Sequence, residues 1–228
     1  MATKLVYMKG EEFVRKILAG EKDFSRIKLE DGFDLAGYKG FTEMQEYLIK
    51  NNLQRNPLLL DSSELIGINA YGLYLPFVRG SYADLRKADL REAYLTRACL
   101  WRANLREACL WRAKLGGADL WEADLWRANL REVNLRKADL KKADLREADL
   151  GVADLEGADL WKANLREADI SRAYFRRTDF EEADLRGVKN LEDTLSIDHA
   201  NFYKTRVTER EKAIIEEALK RKQLFFVE

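Results

Sequence analysis

From Ser81 to Leu185 every fifth residue is large and apolar, an alanine stands two places before it, and the other three positions are mostly polar. The phrase Ala-Asp-Leu-x-x runs through Ala83-Asp84-Leu85, Ala88-Asp89-Leu90, Ala118-Asp119-Leu120 and Ala158-Asp159-Leu160 to Ala183-Asp184-Leu185. It fills twenty-one units without an insertion or deletion. A period of five fits neither regular element. On a helix, at about 100° per residue, successive leucines are displaced by about 140° and no apolar stripe forms. On a flat strand an odd period throws alternate leucines onto opposite faces. A consistent interior returns only if the chain turns a corner once per unit, so that each Leu and its Ala point inward. The two positions after Leu are mostly Arg, Lys, Glu or Trp, in keeping with a solvent-facing corner. A short unit repeated without interruption is the mark of a solenoid, in which each unit buries its apolar face only against its neighbours.

This motif, Ala-(Asp/Asn)-Leu-x-x over 105 residues, resembles that of the pentapeptide-repeat proteins. The resemblance implies an all-β solenoid, a right-handed quadrilateral β-helix with four units to a coil. The repeat tract then makes just over five coils, and at about 4.8 Å between stacked strands it is roughly 25 Å long. Val133 and Thr178 stand in for Ala, and Ile170, Phe175 and Phe180 for Leu. The wider side chains predict a slightly swollen last coil. Alanine suits the second inward position because a larger residue at each corner would force the coil apart.

The remaining sequence divides into an N-terminal cap with an irregular first coil over 1–80 and a C-terminal connection and capping helix over 187–228, around a regular tract over 81–186. A stack of coils has raw edges, so helical caps are expected at both ends. Glu11 to Leu18, with Phe13, Val14 and Ile17, reads as a short helix ended by Gly20, and Phe24 and Leu29 as a first irregular rung. Thr42 and Gln45 fit the cap of a second helix carrying Met44, Tyr47 and Leu48 and ending near Asn52. Leu65 and Leu75 keep phase with Leu85, so Leu58 to Val78 re-enters the stack. The 36–80 excursion has two readings, a structural cap or a partner-binding feature. Thr208-Glu209-Arg210-Glu211 is a capping box opening a helix to about Lys222, with Ala213, Ile214, Ile215, Ala218 and Leu219 on its apolar face.

Charge and cysteine content narrow the class. Of 228 residues, 40 are basic and 40 acidic, and each of the three segments is separately balanced. No segment reads as a nucleic-acid arm or an acidic tail. High charge with only three Gln suits a thermostable protein. Cys99 and Cys109, ten residues apart, fall on opposite sides of a four-sided coil and cannot bridge, which points to a reducing cytoplasm. There is no signal-peptide pattern, and the uncharged run Leu65 to Val78 is too short to span a bilayer.

Residues twenty apart stack on the outer surface. One column reads Arg86, Arg106, Trp126, Arg146, Arg166, Arg186, a basic rail. It reads as a docking strip for an anionic partner or as a ladder of ion pairs with Asp84, Asp124, Asp144, Glu107, Glu147 and Glu167. Rungs near 4.8 Å do not match the phosphate repeat of about 3.4 Å per strand in duplex DNA, so nucleic acid is not the expected partner. A second column carries Trp101, Trp121, Lys141 and Trp161, either a contact surface or rings packed under Arg and Lys stems. Beside it, Asp119, Asp139, Asp159 and Asp179 suit local turn amides better than a metal ion.

Catalytic chemistry is poorly supplied. His199 is the only histidine and lies away from both cysteines, and there is no phosphate loop, CxxC pair or HExxH motif. The expected role is a non-catalytic, cofactor-free and metal-free scaffold that presents a rigid surface to another protein. Family resemblance supplies an alternative, a DNA mimic that modulates DNA gyrase, although that role implies an acidic surface. The apolar tail Leu224, Phe225, Phe226 and Val227 either folds back or joins two copies through the C-terminal helix.

Overall fold

The computed structural model describes residues 4–194 and 196–223. In chain order it contains β1 (Val6–Met8), α1 (Gly10–Leu18), β2 (Ile27–Leu29), α2 (Phe41–Lys50), a 3-10 helix (Leu191–Asp193) and α3 (Glu209–Gln223). Between α2 and the 3-10 helix the chain is a ladder of single-residue parallel bridges. Every bridge from Leu59↔Arg79 to Asp169↔Lys189 joins residues twenty apart. The ladder therefore begins before the strict pentad tract and outlasts it. Beyond Lys189 the step widens to twenty-two, as in Tyr174↔Ser196, Asp179↔Asn201 and Asp184↔Arg206. No helix among the described residues is long and apolar enough to cross a membrane.

One unit, Ala118 to Glu122, explains the motif. The Ala118 amide closes the corner on the Leu115 carbonyl at 2.9 Å, and the Asp119 amide reaches the coil before, at Ala98 O, 2.9 Å away. The amides of Leu120 and Glu122 donate to the coil after, at Asp139 O (2.7 Å) and Lys141 O (2.9 Å). The remaining amide, on Trp121, donates to Asp119 Oδ1 at 3.1 Å. All five donors are satisfied. The position between Ala and Leu hence favours Asp or Asn, whose short side-chain oxygen accepts the amide two residues on, although Tyr94, Cys99, Cys109, Lys114 and Tyr174 also stand there. The second corner residue adopts a left-handed backbone, with φ near +55° to +60° at Lys87, Arg127, Lys142 and Val152 among others. Long charged residues tolerate this at modest cost, whereas β-branched Val152 is a strained exception.

Inside, Leu105 to Leu165 have no solvent exposure and their alanines at most 1 %. The first full coil is packed differently. Leu58, Ser63, Ile68, Leu73 and Val78 occupy alanine-type positions, and the Ser63 hydroxyl donates to Phe24 O at 2.7 Å. These larger residues do not interdigitate as Ala and Leu do. They leave an apolar void of about 50 Å³ lined by Phe13, Met44, Leu48, Leu73 and Leu85 among others. Near the other end Phe175 meets Phe180 edge-on at 5.1 Å, and Phe180 stacks on Phe202 at 5.2 Å.

At the N-terminal end β1 pairs in parallel with β2, Tyr7 opposite Lys28, and α1 buries Phe13, Val14 and Ile17. Helix α2 starts one residue ahead of Thr42, with Gly40 as N-cap and no side-chain cap bond. The expected Thr42–Gln45 cap does not form because Gln45 is engaged elsewhere. Its Nε2 donates to Gly72 O at 2.8 Å and its Oε1 accepts the Tyr74 amide at 2.8 Å, taking the place of a missing strand. At α3 the Thr208 amide donates to Glu211 Oε2 at 2.6 Å, as a capping box requires, and the Thr208 hydroxyl donates to the same carboxylate. Glu211 is buried and also accepts the Gly187 amide at 3.3 Å. Ile215 is buried, but Ala213 and Leu219 are exposed, so the inner face of α3 is narrower than its sequence suggests. The tail from Leu224 to Val227 lies outside the described residues.

Candidate functional surface

Bridges of twenty residues divide the rod into four sides. Side I carries Cys99, Asp119, Asp139, Asp159 and Asp179; side II Asp84, Asn104, Asp124, Asp144, Asn164 and Asp184; side III Asp89, Cys109, Asn129, Asp149 and Asp169; side IV Tyr74, Tyr94, Lys114, Asn134, Asp154 and Tyr174. Cys99 and Cys109 are free thiols on opposite sides.

The rail Arg86, Arg106, Trp126, Arg146, Arg166, Arg186 stacks as one column at the corner after side II. Arg86, Arg146 and Arg186 fold back on Asp84, Asp144 and Asp184 of their own units, at 2.7, 2.5 and 2.6 Å, while Arg106 reaches Asp124 of the next coil at 3.3 Å. The Arg186 bond holds the Asp184 carboxyl below its usual range. Trp126 lies between Arg106 and Arg127, 4.5 and 4.2 Å from its ring centre, and its Nε1 donates to Glu147 at 3.1 Å. Arg166 donates through its amide to Asn164, and its guanidinium makes no ion pair among the described residues.

Trp101, Trp121 and Trp161 stand with Lys141 at the preceding corner, so the two columns occupy successive edges of the rod. Trp101 and Trp121 stack at 5.6 Å, and Tyr82 meets Trp101 edge-on at 4.7 Å. Arg102 lies over Tyr82, Trp101 and Trp121 while bonding Glu122 at 2.6 Å; Lys162 lies over Trp161 at 4.2 Å. Trp101 Nε1 is buried without a hydrogen-bond partner among the described residues. Asp119, Asp139, Asp159 and Asp179 each accept the amide two residues on. Lys141 sits 3.0 Å from both Asp139 and Asp159, bonds that raise its pKa. Among the described residues no cluster of three or more His, Cys, Asp or Glu side chains is arranged to hold a metal ion.

Two features escape a reading of single columns. The second corner position pairs opposite charges twenty residues apart, as in Arg112–Glu132 (2.7 Å), Arg127–Glu147 (2.8 Å) and Lys162–Glu182 (3.3 Å). Trp111 joins the first pair, under Arg112 at 4.2 Å and donating to Glu132 at 3.3 Å. Comparing charges at an offset of twenty would have found it. The second feature is the uneven sharing of charge among sides, which balance by segment conceals.

The family model for pentapeptide repeats matches residues 81–112, 113–151 and 153–189 in eight copies. No curated protein matches the sequence. Among solved structures the chain is similar to HetL of Nostoc sp. strain PCC 7120, a pentapeptide repeat protein involved in heterocyst differentiation regulation. The identity is 23 % over 87 % of this chain and 94 % of that one, with a TM-score of 0.34. It is also similar to full-length QnrB1, a plasmid-mediated fluoroquinolone resistance protein, at 17 % identity over 95 % of this chain and 98 % of that one (TM-score 0.29). A third is a pentapeptide repeat protein of the Arabidopsis thaliana thylakoid lumen, at 31 % identity over 46 % of this chain and 66 % of that one (TM-score 0.24).

Proposed function

The repeat tract belongs to the pentapeptide-repeat family, a right-handed β-helix fold, and from that premise we propose that the protein is a non-catalytic scaffold presenting a rigid surface to a partner protein. The observation that supports this is how many of the carboxylates, arginines and tryptophans on sides I and II engage one another. Arg86, Arg106, Arg146 and Arg186 of the rail are held by Asp84, Asp124, Asp144 and Asp184, the tryptophans by Arg102, Arg112, Arg127 and Lys162, and the aspartate column by turn amides. Groups fixed in this way stiffen the rod and are not poised to move protons or attack a substrate. We read α1 and α3 as its caps, and the separated thiols as fitting a reducing cytoplasm. The test is affinity capture from the source cell with the intact protein, followed by reconstitution with the captured protein. A stoichiometric complex is expected, and turnover of a small molecule by the isolated chain would overturn the reading.

Mimicry of duplex DNA, with gyrase as target, is the second reading. It needs a continuous acidic face. Among the described residues the longest unbroken run of aspartates is Asp119 to Asp179 on side I, and Lys141 bridges two of its members. A supercoiling assay separates the readings, since mimicry requires inhibition or protection of gyrase at low protein concentration.

A further inference from the structure

The molecule is neutral as a whole, yet side IV is not. Between residues 94 and 177 it and its corner carry Arg97, Lys114, Arg136, Lys137, Arg176 and Arg177 against Asp154 and Glu156, six cations to two anions and a net charge of +4. Both anions are held by Arg136, at 3.2 and 2.6 Å, with Arg176 3.9 Å from Glu156. Arg97, Lys114 and Lys137 are exposed and make no ion pair among the described residues. The corner column reads Arg97, Gly117, Lys137, Gly157, Arg177. A Cβ on Gly117 would sit 3.5 Å from Arg97 Cγ and one on Gly157 3.6 Å from Lys137 Cγ, so each long stem lies over the glycine of the next coil. The result is a low, smooth edge with charged ends. Tyr94 and Tyr174, 47 % and 41 % exposed, flank the cations at either end of the same side.

We propose that side IV is the docking surface of the scaffold and that it takes an acidic α-helix of a partner protein, lying along the rod. This rests on the scaffold reading and names its partner's chemistry. Three extended residues give each side a width of about 10 Å, close to the diameter of one helix. A helical turn rises about 5.4 Å against about 4.8 Å between coils, so a helix with one carboxylate per turn stays nearly in step with the rungs. Over four coils the lag is about 2–3 Å, within the reach of Arg and Lys side chains. Duplex DNA, with a phosphate every 3.4 Å or so along each strand, falls out of step at once. The flanking tyrosines supply the amphipathic contact area typical of protein interfaces.

The test uses the full chain and a labelled peptide of about five helical turns bearing Glu along one face, in low salt so that surface charge is not screened. A peptide with the same glutamates spread around the helix and a DNA duplex of equal charge serve as competing probes. Anisotropy titration should show binding of the one-faced peptide, weakened at least about tenfold by Arg97→Glu with Lys137→Glu. Arg166→Glu, an unpaired cation on the opposite side, should leave affinity within about twofold. Both variants change exposed residues only, and circular dichroism checks their fold. No binding by the wild-type chain, equal weakening by Arg166→Glu, or tighter binding of the duplex with the same dependence on Arg97 and Lys137 would overturn the proposal. Any of these would leave the scaffold reading to its own capture experiment.

Discussion

Around Leu130 the coil pairs with its neighbours through backbone bonds and Asn129 closes its turn, whereas around Tyr74 a side chain stands in for a missing neighbour. In the middle of the rod each alanine and leucine repeats every twenty residues, the interior is fully buried, and each strand finds identical strands before and after it. At the N-terminal end the strand that should pair with Tyr74 is replaced by α2, and the Gln45 amide supplies one acceptor and one donor in its stead. The same coil carries larger residues at the alanine positions and keeps a void. Repetition yields tight packing without special residues; where it is broken, single side chains carry the closure. Mutations should therefore act differently in the two regions.

The largest contrast is in the core. Leu130→Ala should cost about 3–5 kcal/mol, because no neighbour can collapse into the gap, and Leu85→Ala, which borders the void, about 2 kcal/mol. Urea unfolding measures both, and equal losses would erase the distinction. Gln45→Ala should cost about 2 kcal/mol by leaving the Tyr74 amide and Gly72 carbonyl without partners, and hydrogen exchange should locate the loss at Tyr74.

Glu211→Gln should destabilise by about 1–2 kcal/mol at neutral pH. Burial pushes the Glu211 carboxyl up, but bonds from Thr208 and from the Gly187 amide outweigh it and hold the pKa below the ordinary 4.5. A depressed folded pKa contributes stability that is present above 4.5 and lost as pH falls through the folded value. The difference between wild type and variant should therefore shrink in acid, and a difference constant with pH would contradict the capping role. The smallest effect is a gain. Val152→Gly relieves a β-branched residue at φ +59° and should stabilise by up to about 1 kcal/mol, read as a raised unfolding midpoint.

Much of this architecture is legible in the pentads. Their phase predicts that Leu65 and Leu75 share the interior with Leu85, and their Asp or Asn predicts the turn bonds. What could not be read was whatever repetition does not constrain. Gln45 looks like a cap residue because its true partners, Gly72 and Tyr74, are 27 and 29 residues away. The slip to a twenty-two-residue step after Lys189 has no marker in the motif. For the surface, the Arg rail and tryptophan columns are visible, and Arg86, Arg146 and Arg186 pair within their own units, but Arg102, Arg106, Arg112 and Arg127 find their carboxylates one coil away. The excess charge of side IV appears only when residues are sorted by side.

Stacking at twenty residues is tested most directly by cross-linking. In a Cys99→Ser, Cys109→Ser background, Lys162→Cys with Glu182→Cys should oxidise rapidly to an intramolecular disulfide, because coils about 4.8 Å apart put the pair within bridging distance. Lys162→Cys with Arg172→Cys, on opposite sides of the rod, should not. A disulfide in the second pair, or none in the first, would contradict the four-sided coil on which every surface argument rests.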